Sequence, residues 1–258
     1  MVGLLCLDLQ PGSHECQSHD GGNASTSLGN FAEAKLIRPL VQTAGARVAD
    51  MIDHAPSSAS TFIPADASWA DLAEAVHACQ GCELYESATQ AVFGEGPPTA
   101  RIMVVGEQPG DHEDRAGRPF VGPAGQLLDR AVLDAGLDRR ELHIANAVKH
   151  LHFELMGRVR RHKRPSASHI AACRPWINAE LQRSQPKTIV CLGATAAQSL
   201  LGRSVRIDKE RGRWLESVWT DRLLVTIHPS ALLRTLSMSA FEQGYRRFVE
   251  ELRMVCKI

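Results

Sequence analysis

Four short, nearly all-apolar runs constrain this chain more than any other feature. They lie at 101–106, within 141–148, at 188–193 and at 223–227, and stretches of helical periodicity separate them. A strand that is apolar on both faces belongs inside a sheet covered on both sides. Such strands separated by helices predict a parallel sheet between two helical layers. The expectation is therefore a three-layer α/β/α domain with a central, mainly parallel sheet of about four strands. Helices are predicted over 125–136, 166–184, from 194 through Leu201, and over 240–257. Another starts after Asp66-Ala67-Ser68, where capping residues precede Leu72, Val76 and Cys79 at helical spacing.

The first 66 residues differ in composition. Residues 14–30 are rich in Ser, Gly, Asn and His, and Ser57-Ser58-Ala59-Ser60 is a second loose stretch. This reads as a poorly ordered extension over 1–66, with a weak helix over 31–52, ahead of one domain over 67–258. No apolar run reaches membrane-spanning length, and Asp8 interrupts the apolar start. A cytoplasmic protein without a secretory leader is expected. The seven cysteines are odd in number, and a reducing compartment favours metal ligation or burial over disulfides.

In open parallel sheets, ligands bind beyond the carboxyl ends of the strands. Glu107, Asn146 and His228 each follow a predicted strand, so three polar groups converge there. The 29 Lys and Arg balance the 29 Asp and Glu, so bulk charge gives no pointer to nucleic acid. The pointer is local: Arg158-Val159-Arg160-Arg161-His162-Lys163-Arg164 packs five cations around one histidine, a pattern suited to phosphates. Cys79-Gln80-Gly81-Cys82 has metal-ligand spacing, and Cys173 adds a third thiol. An iron–sulfur cluster and a zinc ion both fit these residue types. Cys191 lies within an apolar strand and reads as core; Cys6, Cys16 and Cys256 carry no assignable role.

Gly106-Glu107-Gln108-Pro109-Gly110-Asp111, continued by Gly117-Arg118-Pro119-Phe120-Val121-Gly122, resembles the first motif of the iron–sulfur uracil-DNA glycosylases. Asn146-Ala147-Val148-Lys149-His150 and His228-Pro229-Ser230-Ala231-Leu232-Leu233-Arg234 resemble the later motifs, in order, over residues 67–257. The basic insert with His162 resembles one branch, the UdgX proteins, which remain covalently bound to DNA after removing uracil. The resemblance implies a uracil-DNA glycosylase acting on uracil-containing DNA, with single strands preferred, as a monomer. It implies catalytic roles for His162, Glu107, His228, Gln108 and Asp111, and substrate contacts from Phe120, Asn146, Gly106, Arg160 and Arg234. It further implies a [4Fe–4S] cluster on Cys79, Cys82, His150 and Cys173, with His150 where most iron–sulfur relatives have cysteine. The branch usually reads Lys-Arg-Arg-Ile-His in the insert. Here an apolar residue is missing beside His162, and one is present at Val159.

The residue chemistry points the same way. A base to be cleaved must leave the stack, and Phe120 offers it a face. The Asn146 amide both donates and accepts, which suits the uracil edge and mismatches cytosine. A donor aimed at the carbonyl on which charge builds would stabilise it, and His228 resembles the family residue that does so. The resemblance implies that His162 attacks C1′, and neighbouring cations are expected to lower its pKa and keep it neutral. Two other readings stand beside this one: a hydrolytic glycosylase in which Glu107 orients water, and a non-catalytic iron–sulfur DNA-binding protein.

Overall fold

The computed structural model describes residues 58–256. The weak helix expected over 31–52 lies outside them. Among the described residues the helices are α1 Trp69–Ala75, α2 Asp111–Ala116, α3 Pro123–Asp134, α4 Ala167–Ser184, α5 Ala194–Leu201, α6 Ile207–Glu210, α7 Pro229–Leu233 and α8 Met238–Cys256. The strands are β1 Ile102–Gly106, β2 Leu142–Asn146, β3 Phe153–Met156, β4 Val159–His162, β5 Thr188–Leu192, β6 Trp214–Leu215 and β7 Leu223–Thr226.

The main sheet has the order β2-β1-β5-β7-β6. Its first four strands are parallel, and β6 pairs antiparallel with β7. The expected four strands form the centre; the fifth is a two-residue edge strand, too short to leave a pattern in the sequence. Alternation along each strand sorts the core into two layers. Val104, Val190 and Leu224 face α3 and α8, packing with Leu128 and Phe248. Met103, Val105, Ile189 and Cys191 face the opposite layer, with Ile177 and Leu181 of α4 and Ala196 and Ala197 of α5. Cys191 is fully buried core, as its strand position implied.

A third cluster joins the cysteine loop to α4 through Leu72, Val76, Cys79, Val148, Cys173 and Trp176. Ala59 belongs to it and is 1% exposed, within a 3-10 turn at Ala59–Phe62. The packed region therefore begins before residue 67. The Ser-rich composition around Ser58 concealed a turn whose one small apolar side chain is buried. Ser68 caps α1 reciprocally with Asp71, and Ser166 caps α4 with His169.

The basic stretch expected as a loop is a two-stranded hairpin, β3 and β4, separate from the main sheet. Gly157 makes its turn at φ 62°, where a side chain would be strained.

Candidate active site

β1, β2, β5 and β7 end on one side of the sheet, and a cavity of about 620 Å³ opens there. Glu107, Gln108, Phe120, Asn146, His162, His228 and Arg234 all line it. The polar groups expected at separate strand ends thus meet in one place, and β4 brings His162 to them.

The first wall is buried. Phe120 has φ 56°, a left-handed conformation unusual for an aromatic residue. Strain of this kind persists where the surroundings impose it and concentrates at functional sites. Its ring lies 5.7 Å from that of His228, tilted by 31°. Gly106 lies beneath: a Cβ there would stand 2.6 Å from the Phe120 ring and overlap Asn146 Oδ1. Gly106 therefore shapes the wall without lining the cavity. Asn146 is 2% exposed, and its Oδ1 has no hydrogen-bond partner. A buried carbonyl left unsatisfied is costly, so this oxygen is matched to a donor that arrives with a ligand.

Behind Asn146, the fully buried Lys149 donates to the Asn146 backbone carbonyl at 2.9 Å and pairs with Glu180. Burial works against ionising Glu180, but Lys149 and His143 outweigh it and keep the carboxyl below its usual range. Neither Lys149 nor Glu180 was singled out from sequence. A charge within an apolar helix and another directly after a strand were the available signals.

His228 caps α7, and the backbone N–H of Ser230 donates to its Nδ1 at 3.2 Å. Burial, with His162 and Arg234 adding, lowers its pKa to about 4. The ring is neutral near pH 7 and Nδ1 is an acceptor, so the single ring proton sits on Nε2.

The second wall is the hairpin. The Gln108 amide holds it, accepting from His152 N at 3.1 Å and donating to His152 O at 3.1 Å and Lys163 O at 3.0 Å. A backbone N–H can only donate, which fixes the amide orientation. Gln108 Nε2 thus also donates to His162 Nε2 at 2.8 Å. Two amide protons serve three acceptors, so the bond to His162 is easily given up. Partial burial is the main cause that lowers the His162 pKa; Glu107 opposes it, and Arg234 and His152 add to it. The expected direction holds, but burial leads rather than the neighbouring cations. Glu107 Oε1 stands 3.9 Å from His162 Nε2, and Thr195 donates to Glu107 Oε2 at 2.5 Å. Thr195, at the start of α5, was not foreseen; a hydroxyl two residues beyond a strand-end glycine was the only trace of it. Glu113, likewise unforeseen, accepts from Gly110 N and Gly122 N and ties the motif loop together.

Asp111 and Arg160 do not line the cavity. Arg160 donates to Asp111 at 2.5 Å and to the buried Asp114 at 2.6 Å, and lies over the Phe153 ring. Instead of meeting in the cavity, the two side chains form a clamp between hairpin and α2. The reason is reach: the long Arg160 side chain on β4 extends to the two aspartates of α2, and these ion pairs hold it there.

Cys79, Cys82 and Cys173 form no disulfide. Trp176 Nε1 donates to Cys79 Sγ at 3.1 Å, and Lys149 N to Cys173 Sγ at 3.2 Å. Burial is the chief cause that raises the Cys173 thiol to about 12, with Cys82 and Cys79 close enough to add to it. A thiol so buried ionises only beside a cation. His150 is buried too, and burial lowers it to about 4, leaving a neutral imidazole. Among the described residues no group of three or more His, Cys, Asp or Glu side chains is arranged, as it stands, to hold a metal ion. N–H donors aimed at two sulfurs nonetheless suit metal-bound thiolates.

The family model of the Uracil DNA glycosylase superfamily matches residues 93–253, more than half of the chain. A type-4 uracil-DNA glycosylase of Thermotoga maritima is 38% identical over 167 residues, 64% of this chain and 83% of its own. The type-4 enzyme of Archaeoglobus fulgidus is 30% identical over 70% of this chain and 91% of its own. A type-5 uracil-DNA glycosylase of Pyrobaculum aerophilum is 31% identical over 41% of this chain. By these matches, the chain belongs to the uracil-DNA glycosylase superfamily.

Proposed function

We propose that this protein excises uracil from single-stranded DNA and then binds the abasic sugar covalently through His162. The observation that carries the reading is the meeting, in one cavity, of an unpartnered Asn146 Oδ1, a neutral His228 with its proton on Nε2, and His162. The extruded uracil stacks on Phe120. Its N3–H satisfies Asn146 Oδ1, whereas cytosine has no proton at N3. As the N-glycosidic bond breaks, its electron pair moves onto the uracil ring. His228 Nε2–H donates to the carbonyl where that charge collects. The sugar is left electron-poor at C1′. His162 Nε2 leaves its bond with Gln108 and attacks C1′ with its lone pair. The new imidazolium then loses its Nδ1 proton to solvent, and the uracil anion takes one up. Glu107, facing His162, favours the positive charge that develops.

Cys79, Cys82, His150 and Cys173 are assigned to a [4Fe–4S] cluster. Three thiols and one neutral imidazole would hold such a cluster there. When bound, the cluster ties the cysteine loop to α4 and supplies no step of the excision. A hydrolytic reading has one observation in its favour: Gln108 occupies the His162 lone pair, leaving Glu107 free to hold a water.

Incubation with uracil-containing single-stranded DNA followed by denaturing electrophoresis tests the proposal. A retained, shifted protein–DNA band is expected. Alkali-labile strands without that band would establish turnover instead, and neither product would overturn the glycosylase reading.

A further inference from the structure

The outer end of the His162 hairpin is apolar: Leu155 is 68% exposed, Met156 56% and Val159 66%. Eight large hydrophobic side chains are exposed among the described residues, and six flank the cavity in sequence. These three precede Arg161, and Leu233, Leu236 and Met238 surround Arg234. Scattered exposed apolar residues are ordinary; a directly paired set on the hairpin that carries a cavity-lining arginine marks a contact surface.

The hairpin register shows which side chains act together. Met156 pairs with Val159, and Glu154 with Arg161. Directly paired residues share a face, as do residues two apart, so Met156 and Val159 lie on one face with Glu154 and Arg161, and Leu155 lies on the other with Arg160. Arg161 lines the cavity and approaches Met156 Sδ at 3.5 Å. The apolar surface thus continues outward from the cavity lip. Arg158, Lys163 and Arg164 lie on the same hairpin or beside it.

An apolar face edged by cations matches a DNA strand, whose bases present flat apolar faces beside anionic phosphates. A second copy of the chain fits less well, because an isologous contact would gather Arg158 and Arg161 of both copies into one interface. We infer that Met156 and Val159 form a platform on which the base next to the target uracil rests. The inference depends on the DNA reading given above. Apolar side chains placed against a base step hold it open, so the platform would stabilise the strand while the uracil is extruded.

A double-mutant cycle between protein and DNA tests it. The protein variant is Met156→Ser/Val159→Ser, checked by its thermal melt against the wild-type protein. The DNA variant replaces the bases flanking uracil, one side at a time, with abasic spacers. Removal of the contacted base is expected to weaken wild-type binding about tenfold, the scale of one stacking contact. The double variant should bind intact DNA about tenfold more weakly and be insensitive to the spacer. Equal sensitivity of both proteins on each side, with uracil release intact, would sink the platform alone. A wild-type dimer lost in the variant at unchanged DNA affinity would assign the surface to a second copy. A wild-type protein that releases no uracil from any DNA would remove the functional reading first, and the platform with it.

Discussion

Phe120, Asn146 and His228 are held by the ends of the main sheet and closed in by its core, whereas His162 stands on a hairpin outside that sheet and its side chain is 51% exposed. The first wall is positioned by packing: Gly106 beneath Phe120, Lys149 behind Asn146, and the start of α7 beneath His228. The second is positioned by polar tethers: Gln108 to the hairpin base, Arg160 to Asp111 and Asp114, and His152 to the Arg164 carbonyl at 3.0 Å. Packing gives a rigid, water-poor surface suited to recognising a base. Tethers of about 1 kcal/mol each hold a nucleophile that must still exchange one partner for another. Recognition and capture are therefore separable, and the two walls should fail separately.

The largest expected effect is on capture alone. His162→Ser should abolish the denaturation-resistant DNA complex while uracil release continues, because the base wall is untouched and water can enter the vacated space. A resistant complex that persists without borohydride would break the comparison and move the covalent bond to another residue. Lys163 is the rival, and its Schiff base would need reduction to survive denaturation.

Damage to the base wall should act on both steps. Asn146→Ala leaves uracil edges unsatisfied at about 1–3 kcal/mol for each group, so release and capture should fall together by roughly one to two orders of magnitude. Single-turnover assays of free uracil and of adduct read the two rates, and a loss confined to capture would contradict the division.

A tether should cost less. Gln108→Ala removes three donated hydrogen bonds and one accepted one. Capture is expected to slow about tenfold, with a smaller change in release. Equal slowing of both would place Gln108 in the base wall as well.

The smallest expected effect is that of pH near neutrality. Capture requires neutral His162, whose pKa lies below its usual value, so the rate should be flat above about pH 6.5 and decline beneath it. Release depends on neutral His228 and should persist until pH approaches about 4. The sign for stability agrees. A histidine depressed to about 4 leaves the unfolded chain binding the proton first between pH 6.5 and 4, so the folded state loses stability across that window as pH falls. Parallel profiles for release and capture would merge the two walls.

Much of this architecture was legible because it depends on local chemistry. Continuous apolar runs can only be covered strands, and Ser68 and Ser166 mark helix starts by offering an acceptor to free backbone N–H groups. Glu107, Asn146 and His228 were legible as a site because parallel strands deliver their ends to one side. The hairpin was not, since its charged residues carry no apolar alternation to report a strand. Nor were Thr195, Glu113 and the Lys149–Glu180 pair, whose partners lie far away in the chain.

The sequence by itself determined the layered sheet, the polar strand ends and the residue types available for base recognition, nucleophilic attack and thiolate ligation. These follow from periodicity and side-chain chemistry, which are properties of neighbouring residues. Only the tertiary structure decided that Arg160 and Asp111 clamp the hairpin rather than line the cavity, that the His228 proton sits on Nε2, and that Asn146 Oδ1 lacks a partner. Those outcomes depend on burial and on which groups meet across the fold, and a buried group's protonation and pairing are set by what surrounds it in space.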